Sequence, residues 1–376
     1  MTCRTQVAIV GAGPAGLSAA LEIARAGGVV AVFDENMRPG GQLFKQIHKF
    51  FGSKRHGAGT RGFRLGERLL ADCIENGVDI HLDATVYGVF PELTLGVMEK
   101  DKCYAVKCEK ILVAAGATEN PLAFPGWTLP GVMGAGAAQT MININRVLPG
   151  KRFLMIGSGN VGLVVSYQIL QAGGRVLGVV EATPQIGGYL VHACKLRRRG
   201  VPFYTSHTVK QVSGNDKVEH AVIVEIDQDF NTVSGSEKIL DVDVVCLAVG
   251  LTPAGEFLRM SGCKFAFMPS LGGFVPLHDN NMETTVRGIY VAGDVAGIEE
   301  ASTAMEEGRL AGICISHSLG LIDSKKFRDL KAEVENRINE LRTGVFGQPR
   351  SCSKREIIGR CQNGEFSFEN RGHSVS

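Results

Sequence analysis

The sequence predicts an α/β fold made of two similar units, the second inserted in the first. Two segments share the order strand, glycine-rich turn and helix, and they begin at Val7 and Phe153. Three further features recur in the same order and at nearly the same separation: Asp34 and Glu181, Gly40-Gly41 and Gly187-Gly188, and Leu43 and Leu190. A nearly constant separation over this many positions indicates a duplicated unit rather than coincidence.

The elements of each unit follow from its apolar residues and glycines. A strand over Val7–Val10 precedes a turn over residues 11–16 and a helix to Ala26, and the second unit repeats this as a strand over 153–156, a turn over 157–162 and a helix to Ala172. Apolar runs at 110–116, 242–250 and 288–294 are typical of strands that a parallel sheet buries on both faces. These runs predict a doubly wound parallel sheet in each unit.

Proline and glycine mark the boundary between the units. Residues 120–131 contain three prolines and two glycines, a composition typical of a linker. The first unit is predicted to cover residues 1–119 and 247–320, and the inserted unit residues 120–246. Residues 321–376 are expected to form a C-terminal helix over 324–342, stopped by Gly344, and a polar tail. The stretch after Pro349 has no apolar period, as in a disordered segment or an arm that a partner orders.

The composition is that of a globular protein without a strong overall charge. The 376 residues carry 40 Lys and Arg against 38 Asp and Glu, a net charge of +2, so no large field favours nucleic acid or an anionic membrane. No apolar stretch reaches the roughly 18 residues that span a bilayer. Pro14 and three glycines interrupt the apolar N-terminal run that a signal peptide would need. A soluble, cytoplasmic protein is expected.

Cysteine and histidine spacing excludes the common metal sites. The ten cysteines form no CxxC pair, and the nine histidines have no metal-ligand spacing, so no metal ligand is predicted. Cys103 and Cys108 lie in a lysine-rich strand region and are not expected to form a redox pair. The thiols are expected to be reduced.

The first glycine turn has the residues of a dinucleotide-binding site. In its Gly-x-Gly-x-x-Gly pattern, Gly11 permits the tight turn, Gly13 lets the backbone approach a pyrophosphate, and Gly16 lets the helix pack close to the strand. The helix N-terminus presents N–H groups and the positive end of its dipole to the phosphates. Asp34, at the end of the next strand, is expected to accept hydrogen bonds from ribose hydroxyls.

The second glycine turn has the same pattern, and Glu181 takes the ribose position. An acid at this position repels a 2′-phosphate, and residues 182–185 contain no cation to hold one, so NAD is favoured over NADP. A duplicated fold can lose its ligand, so an empty second site stays an alternative. The basic run of Lys195, Arg197, Arg198 and Arg199 is interpreted as a solvated helix end, with a phosphate or partner contact as the alternative.

These motifs resemble one superfamily in particular. The first glycine turn, Gly40-Gly41-Gln42-Leu43, the Ala-Ala-Gly strand ends and Ala292-Gly293-Asp294 are similar to the two-dinucleotide-binding-domain flavoproteins, whose fold is that of glutathione and thioredoxin reductases. The resemblance covers roughly residues 5–315 and implies two Rossmann-like domains. It implies FAD, or in some relatives another adenine nucleotide, in the first site. The disulfide reductases of this superfamily need a close cysteine pair beside the flavin, which this sequence lacks.

The resemblance also assigns the flavin end of the site. Asp294 is expected to hold the ribityl chain, and the helix that begins near residues 301–303 to point its N-terminus at the isoalloxazine ring, where a positive helix end stabilises a reduced flavin. The candidate cofactor-binding residues of the first unit are Gly11, Gly13, Pro14, Ala15, Gly16, Asp34, Glu35, Gly41, Gln42, Val86, Ala115, Gly116, Gly293, Asp294, Ala301, Ser302 and Thr303. Those of the second unit are Gly157, Gly159, Asn160, Val161, Gly162 and Glu181. No catalytic residue is assigned, because hydride transfer between nicotinamide and flavin needs stacking and orientation rather than a side-chain acid or base.

A narrower resemblance concerns residues 116–139. Gly116-Ala117-Thr118-Glu119-Asn120, the stretch from Phe124 to Met133 and Ala135-Gly136-Ala137-Ala138-Gln139 are similar to the α-type subunits of heteromeric amine and imino-acid dehydrogenases. That group includes sarcosine oxidase, opine oxidase, proline or hydroxyproline dehydrogenase and hydrogen cyanide synthase. It implies an FAD-containing amine-oxidising partner, with a small ferredoxin-like protein chain as a further candidate, and FMN or an iron–sulfur cluster between the flavins. Cys352 and Cys361 fall short of the four thiolates that a two-iron cluster requires, so another subunit would supply it.

The sequence therefore predicts an FAD-dependent oxidoreductase. Its expected role is a subunit that relays electrons in a heteromeric dehydrogenase of secondary amines or imino acids, with NAD as the candidate ligand of the second site. Two alternatives stay open: a free-standing NADH-dependent flavin oxidoreductase, and a scaffold subunit that nucleotides stabilise.

Overall fold

The computed structural model describes residues 2–50 and 53–364. Its contacts divide the chain into two units: the first contains the described residues of 1–118 and 252–376, and the second contains residues 119–251. The second unit is therefore inserted in the first along the chain.

The elements are numbered in chain order. The strands are β1 (Thr2–Arg4), β2 (Val7–Val10), β3 (Val30–Asp34), β4 (Asp79–Leu82), β5 (Ala84–Phe90), β6 (Thr94–Glu99), β7 (Lys102–Lys107), β8 (Lys110–Val113), β9 (Ala117–Glu119), β10 (Val132–Gly134), β11 (Arg152–Ile156), β12 (Arg175–Glu181), β13 (Phe203–Thr205), β14 (His207–Ser213), β15 (His220–Glu225), β16 (Lys238–Asp241), β17 (Val244–Leu247), β18 (Leu251–Pro253), β19 (Phe265–Met268), β20 (Gly273–Pro276) and β21 (Ile289–Val291). The helices are α1 (Pro14–Arg25), α2 (Gly62–Glu75), α3 (Ala135–Asn143), α4 (Asn160–Gln171), α5 (Leu190–Arg197), α6 (Glu256–Met260), α7 (Ala301–Ser318), α8 (Ser324–Leu341) and α9 (Gly344–Asn363).

The first unit is built around a parallel sheet of order β21-β8-β2-β3-β4. The side chains of Val7–Val10 and Val30–Asp34 are all buried, as expected for strands covered on both faces. Helices α1 and α7 pack closely because Gly308 has no side chain: a Cβ there would lie 2.1 Å from the carbonyl oxygen of Ala15. A second sheet, β1-β7-β6-β5, contains the antiparallel strands β5, β6 and β7.

The second unit repeats this arrangement. Its parallel sheet has the order β10-β17-β11-β12-β13, with the helices α3, α4 and α5, and an antiparallel sheet β14-β15-β16. Strand β11, the glycine turn and α4 correspond to β2, the first glycine turn and α1. The duplication read from the sequence is therefore also a duplication of structure.

Three buried strands are shorter than predicted. The apolar runs at 110–116, 242–250 and 288–294 form strands only over Lys110–Val113, Val244–Leu247 and Ile289–Val291. Each run ends near a glycine in the left-handed region, with φ of +76° at Gly116, +115° at Gly250 and +77° at Gly293. Such backbone cannot continue a strand, so the ends of these runs become turns.

The C-terminal region contains one confirmed element and one error of prediction. The predicted helix over 324–342 is present as α8, and its apolar face is buried at Val334 and Ile338. The expectation of an irregular tail after Pro349 is wrong, because Gly344–Asn363 form α9. Gly344, expected to stop α8, begins α9 instead. The remainder of the predicted tail, residues 365–376, lies outside the described residues.

Helix α9 is held by a few contacts that composition does not reveal. Ile357 is fully buried against Leu271, Met268 and their neighbours, and Lys354 is only 2% exposed. Tertiary packing therefore stabilises a helix whose own sequence has no apolar period. Within residues 2–50 and 53–364, no helix combines the length and apolar character needed to cross a membrane.

Candidate functional site

The carboxyl ends of four parallel strands meet at one edge of the sheet of the first unit. They bring together predicted residues that are distant in sequence: Asp34 at the end of β3, Gly11 after β2, Ala115 and Gly116 after β8, and Gly293 and Asp294 after β21. Ligands of open α/β sheets bind outside the carboxyl ends of the strands, so this edge is the candidate site of the first unit.

The glycines of the first turn are required by close contacts. Gly11 has a φ of +105°, and a Cβ there would lie 2.4 Å from the carbonyl oxygen of Ala114. A Cβ at Gly16 would lie 1.9 Å from the carbonyl oxygen of Gly11, so only glycine lets α1 approach the strand. Gly13 differs, because nothing lies within 4 Å of a Cβ placed there. Open space at this position is what a bound pyrophosphate needs.

The first turn of α1 is available to an anion. No side chain caps this helix, Pro14 has no N–H, and the first turn contains no acid. The N–H groups of Ala15 and Gly16 are thus suited to phosphate oxygens. Gly41 lies over the same turn, since its Cβ would be 3.0 Å from the Cα of Gly13.

Asp34 lies where a ribose acid is expected. Its Oδ2 accepts a hydrogen bond from the backbone N–H of Ala12 at 2.7 Å, and its Oδ1 accepts the backbone and side-chain N–H groups of Asn36 at 2.9 and 2.8 Å. A carboxylate has about four acceptor positions, so Oδ2 retains one for a ribose hydroxyl. Of the other predicted residues, Glu35 and Gln42 are exposed, and Val86 is buried in β5 at 6% exposure.

Asp294 has the acceptor capacity that the flavin end requires. It is partly buried, and its Oδ1 accepts one long hydrogen bond, 3.3 Å, from the backbone N–H of Glu299. Its Oδ2 accepts none from the residues that the structure describes. Burial, with neighbouring carboxylates adding to it, raises the pKa of Asp294 to about 6. Hydroxyl donors from a ligand would stabilise the ionised form of this carboxylate.

The predicted residues on α7 lie seven to nine residues beyond Asp294 in the sequence. Ala301, Ser302 and Thr303 form the first turn of this helix, which no side chain caps. Ala301 and Ser302 are partly exposed and Thr303 is buried. The open space at Gly13, the uncapped N–H groups of α1 and the free acceptor of Asp294 therefore fit FAD in the first unit.

The second unit has an equivalent turn. A Cβ at Gly157 would lie 2.2 Å from the carbonyl oxygen of Ala248, one at Gly162 would lie 2.3 Å from that of Gly157, and one at Gly159 would have nothing within 4 Å. Asn160 begins α4, and its Oδ1 accepts the backbone N–H of Tyr189 at 2.9 Å. Val161 is 43% exposed.

Glu181 ends β12, as Asp34 ends β3. Its Oε2 accepts the backbone N–H and the hydroxyl of Ser158 at 3.0 and 2.5 Å, and its Oε1 accepts those of Thr183, both at 3.0 Å. Although burial opposes ionisation, these four donors hold the pKa of Glu181 below its ordinary value. Since the two hydroxyls can rotate away, a ribose can share the carboxylate, and the residues fit NAD on that condition.

Sequence reasoning missed one group beside the first site. The backbone N–H of Gly293 donates a 3.0 Å hydrogen bond to Oε2 of Glu307, a side chain 2% exposed on α7. Cations from the C-terminal region, Arg342 and Lys354, contact the other oxygen. The signal in the sequence is the pair Glu306-Glu307 within an apolar helix, since buried acids need partners.

The described residues contain neither a disulfide nor a cluster of candidate metal ligands. All ten cysteines are free thiols, and burial raises the pKa of Cys108 to about 12, which disfavours a reactive thiolate. In the part of the chain that the structure describes, no group of three or more His, Cys, Asp or Glu side chains is placed to hold a metal ion.

Known proteins share this architecture. The chain is 31% identical over 343 residues to one of the opine oxidase subunits of Agrobacterium tumefaciens (strain Ach5), and the match covers 84% of this chain. It spans 66% of that relative, slightly less than two thirds of its length. Among solved structures, L-proline dehydrogenase from P. horikoshii matches 90% of this chain and 60% of its own, with a TM-score of 0.68 and 25% identity. Thioredoxin reductase from T. acidophilum matches 84% of this chain and 99% of its own, with a TM-score of 0.69 and 23% identity.

The fold and family predictions are confirmed by these similarities. Thioredoxin reductase supports the reductase-like fold, and the other two support the resemblance to subunits of amine and imino-acid dehydrogenases. The family model for pyridine nucleotide-disulphide oxidoreductases matches residues 5–308. The chain therefore belongs to the pyridine nucleotide-disulphide oxidoreductase family, which confirms the prediction of an FAD-dependent oxidoreductase.

Proposed function

We propose that this chain is the electron-relaying flavoprotein subunit of a heteromeric dehydrogenase that oxidises a secondary amine or imino acid. The substrate class is that of proline, hydroxyproline, sarcosine or an opine. The observation that carries the proposal is the candidate nucleotide site at the sheet edge of the first unit, formed by Gly13, Asp34 and Asp294. This site lies in a chain that resembles an opine oxidase component over 84% of its length. The substrate itself reacts on a partner subunit.

The residues of this chain bind and orient the nucleotides. Gly13 and the first turn of α1 hold the pyrophosphate, Asp34 holds the adenosine ribose, and Asp294 accepts hydrogen bonds from the ribityl chain. When bound, FAD supplies the two-electron chemistry that amino-acid side chains lack. In the second unit, Gly159 and Glu181 hold NAD, and the negative charge of Glu181 disfavours a 2′-phosphate.

The proposed partners follow from the resemblance to subunits of heteromeric dehydrogenases. A second FAD-containing subunit would oxidise the amine, and a small ferredoxin-like subunit would complete the complex, with FMN or an iron–sulfur cluster at the subunit interfaces. Cys352 is exposed on α9 and Cys361 is partly buried on the same helix. These are two of the four thiolates that a cluster requires, and in the proposed complex the remaining ligands would lie on a partner.

The first test is purification of the full chain together with whatever co-purifies. Its visible spectrum would be taken, and released nucleotides identified by mass spectrometry. We expect a flavin spectrum, released FAD and associated chains. A colourless protein that releases only an adenine nucleotide would instead support the scaffold alternative. If the isolated chain oxidised proline, sarcosine or an opine at the rate of the complex, the assignment of amine oxidation to a partner subunit would be wrong.

The duplication provides a matched pair of variants for this test. Gly13→Ala and Gly159→Ala place the same methyl group at equivalent positions, and neither meets an atom of the chain within 4 Å. We expect Gly13→Ala to reduce the FAD released, and Gly159→Ala to retain FAD while weakening NAD binding. Equal FAD content in Gly13→Ala and the parent would refute the assignment of the first site.

One alternative retains structural support. The candidate nucleotide site at Glu181 is equivalent to the one at Asp34. Two such sites in one chain also suit a free-standing NADH-dependent flavin oxidoreductase. The discriminating measurement is stopped-flow reduction of the isolated chain by NADH. Bleaching of the flavin at a rate matching steady-state turnover, without any partner, would favour this alternative.

A further inference from the structure

Two adjacent glutamates on α7 are buried, and they have separate partners. Glu306 is fully buried and contacts His56, Arg309 and Arg337. Glu307 is 2% exposed and contacts a different set, the N–H of Gly293 and two cations. Ionised carboxylates this deeply buried persist only when paired. The two sets therefore have separable consequences.

Glu307 connects the C-terminal region to the loop that carries Asp294. Its Oε2 accepts the N–H of Gly293 at 3.0 Å, and its Oε1 accepts hydrogen bonds from Nζ of Lys354 at 2.7 Å and from Arg342 at 2.5 Å. Gly293 in turn packs on the first turn of α1, since its Cβ would lie 2.8 Å from that of Ala15. The backbone that precedes Asp294 is thus fixed on two sides.

The charges of this cluster balance. Arg342 also pairs with Glu299 through three hydrogen bonds, and Lys354 lies 3.9 Å from the same carboxylate. Two acids, Glu299 and Glu307, therefore face two cations. Burial alone would raise the pKa of Glu307, but Lys354 and Arg342 hold it below its ordinary value. Without Lys354 and Arg342, Glu307 would carry an unpaired buried charge.

The cations lie outside the segment that defines the family. The family model ends at residue 308, whereas Arg342 follows α8 and Lys354 lies on α9. We propose that the two C-terminal helices complete the FAD site: Arg342 and Lys354 neutralise Glu307, which holds the N–H of Gly293 and so positions Asp294 for the cofactor. Lys354 is a positioning residue in this arrangement. The inference rests on the proposed FAD site of the first unit.

A purely structural role for Lys354, anchoring α9, is the competing explanation. The variant Lys354→Met keeps the length of the side chain and removes its charge. The double variant Glu307→Gln with Lys354→Met removes both charges, and the amide oxygen of Gln can still accept the N–H of Gly293. The control is Arg337→Met, which removes a cation from Glu306 and touches neither Gly293 nor Glu307.

The readouts are hydrogen exchange of the peptide covering residues 289–297, the FAD dissociation constant of the full chain stripped of nucleotide, and Tm. We expect Lys354→Met to speed exchange in that peptide and to weaken FAD binding on the order of tenfold, as for loss of a hydrogen bond to a charged group. The double variant restores both quantities towards the parent. Arg337→Met lowers Tm while leaving both unchanged.

The outcomes separate this inference from the proposed function. If the parent binds FAD and Lys354→Met leaves both exchange and affinity unchanged, the inference is overturned and the proposed function stands. If Lys354 only anchors α9, the double variant should show exchange and FAD affinity no closer to the parent than those of Lys354→Met. That result would also overturn the inference. If the parent bound no FAD, the proposed function and this inference would fail together, whereas exchange at 289–297 would still report whether Glu307 holds the loop.

Discussion

Asp294 is expected to destabilise the chain when no cofactor is bound. Burial raises the pKa of this carboxyl from 3.8 to about 6. Such a displacement corresponds to about 3 kcal/mol against its ionised form. Because the side chain retains some contact with solvent, we expect about 1–2 kcal/mol in practice. The variant Asp294→Asn removes this cost and keeps the shape of the side chain.

The sign of the pH dependence follows from which state binds the proton. Well below pH 3.8, Asp294 is protonated in both states and contributes nothing. Between about pH 4 and 6 the folded chain retains a proton that the unfolded chain releases, so the free energy of unfolding falls as pH rises. Above about pH 6 the full cost is present. The advantage of Asp294→Asn should therefore be complete at pH 7.5 and be largely lost near pH 4.

The assay is thermal unfolding of the nucleotide-free full chain between pH 4 and 8, with FAD titration in parallel. We expect Asp294→Asn to raise Tm at pH 7.5 by a few degrees and to weaken FAD binding. The control is Asp323→Asn at the N-cap of α8, because Asn caps as well as Asp and the pKa of Asp323 is lowered, so it titrates below this range. A Tm for Asp294→Asn equal to or below the parent at pH 7.5, or a gain in Tm that is as large at pH 4 as at pH 7.5, would refute the reasoning.

Three further predictions concern packing and nucleotide selection. Gly16→Ala should abolish folding or lower the free energy of unfolding by several kcal/mol, because its Cβ would lie 1.9 Å from a backbone oxygen. A urea unfolding curve like that of the parent, followed by circular dichroism, would contradict this. Glu181→Gln should weaken NADH binding and reduce the preference for NADH over NADPH, measured by titrating the chain with each nucleotide. An unchanged ratio of the two dissociation constants would argue against a role for Glu181 in binding the ribose. Ile357→Ala should lower the free energy of unfolding by about 2–4 kcal/mol, because it leaves a cavity beneath α9. A rate of proteolysis within α9 equal to that of the parent would contradict this.

Local chemistry made several features of this protein predictable from the sequence. The duplicated unit, the strands that precede the glycine turns and the turns themselves could be read directly, because Gly11 and Gly16 are required by contacts within a few residues or with an adjacent strand. The helix α8 was predictable for a similar reason: its apolar residues recur at the helical period. The position of Asp34 followed from the end of a strand.

Contacts between distant segments were not predictable in this way. Helix α9 has no apolar period, and its packing against the first unit includes the buried Ile357 and the buried ion pair between Lys354 and Glu307. Glu307 becomes part of the candidate site only because Gly293, Arg342 and Lys354 meet it in the fold. The sequence alone thus determined the duplicated nucleotide-binding architecture, since strand, turn and helix follow from local periodicity and glycine stereochemistry. Only the tertiary structure decided which charges surround Asp294, because burial and pairing depend on residues brought together from far apart in the chain.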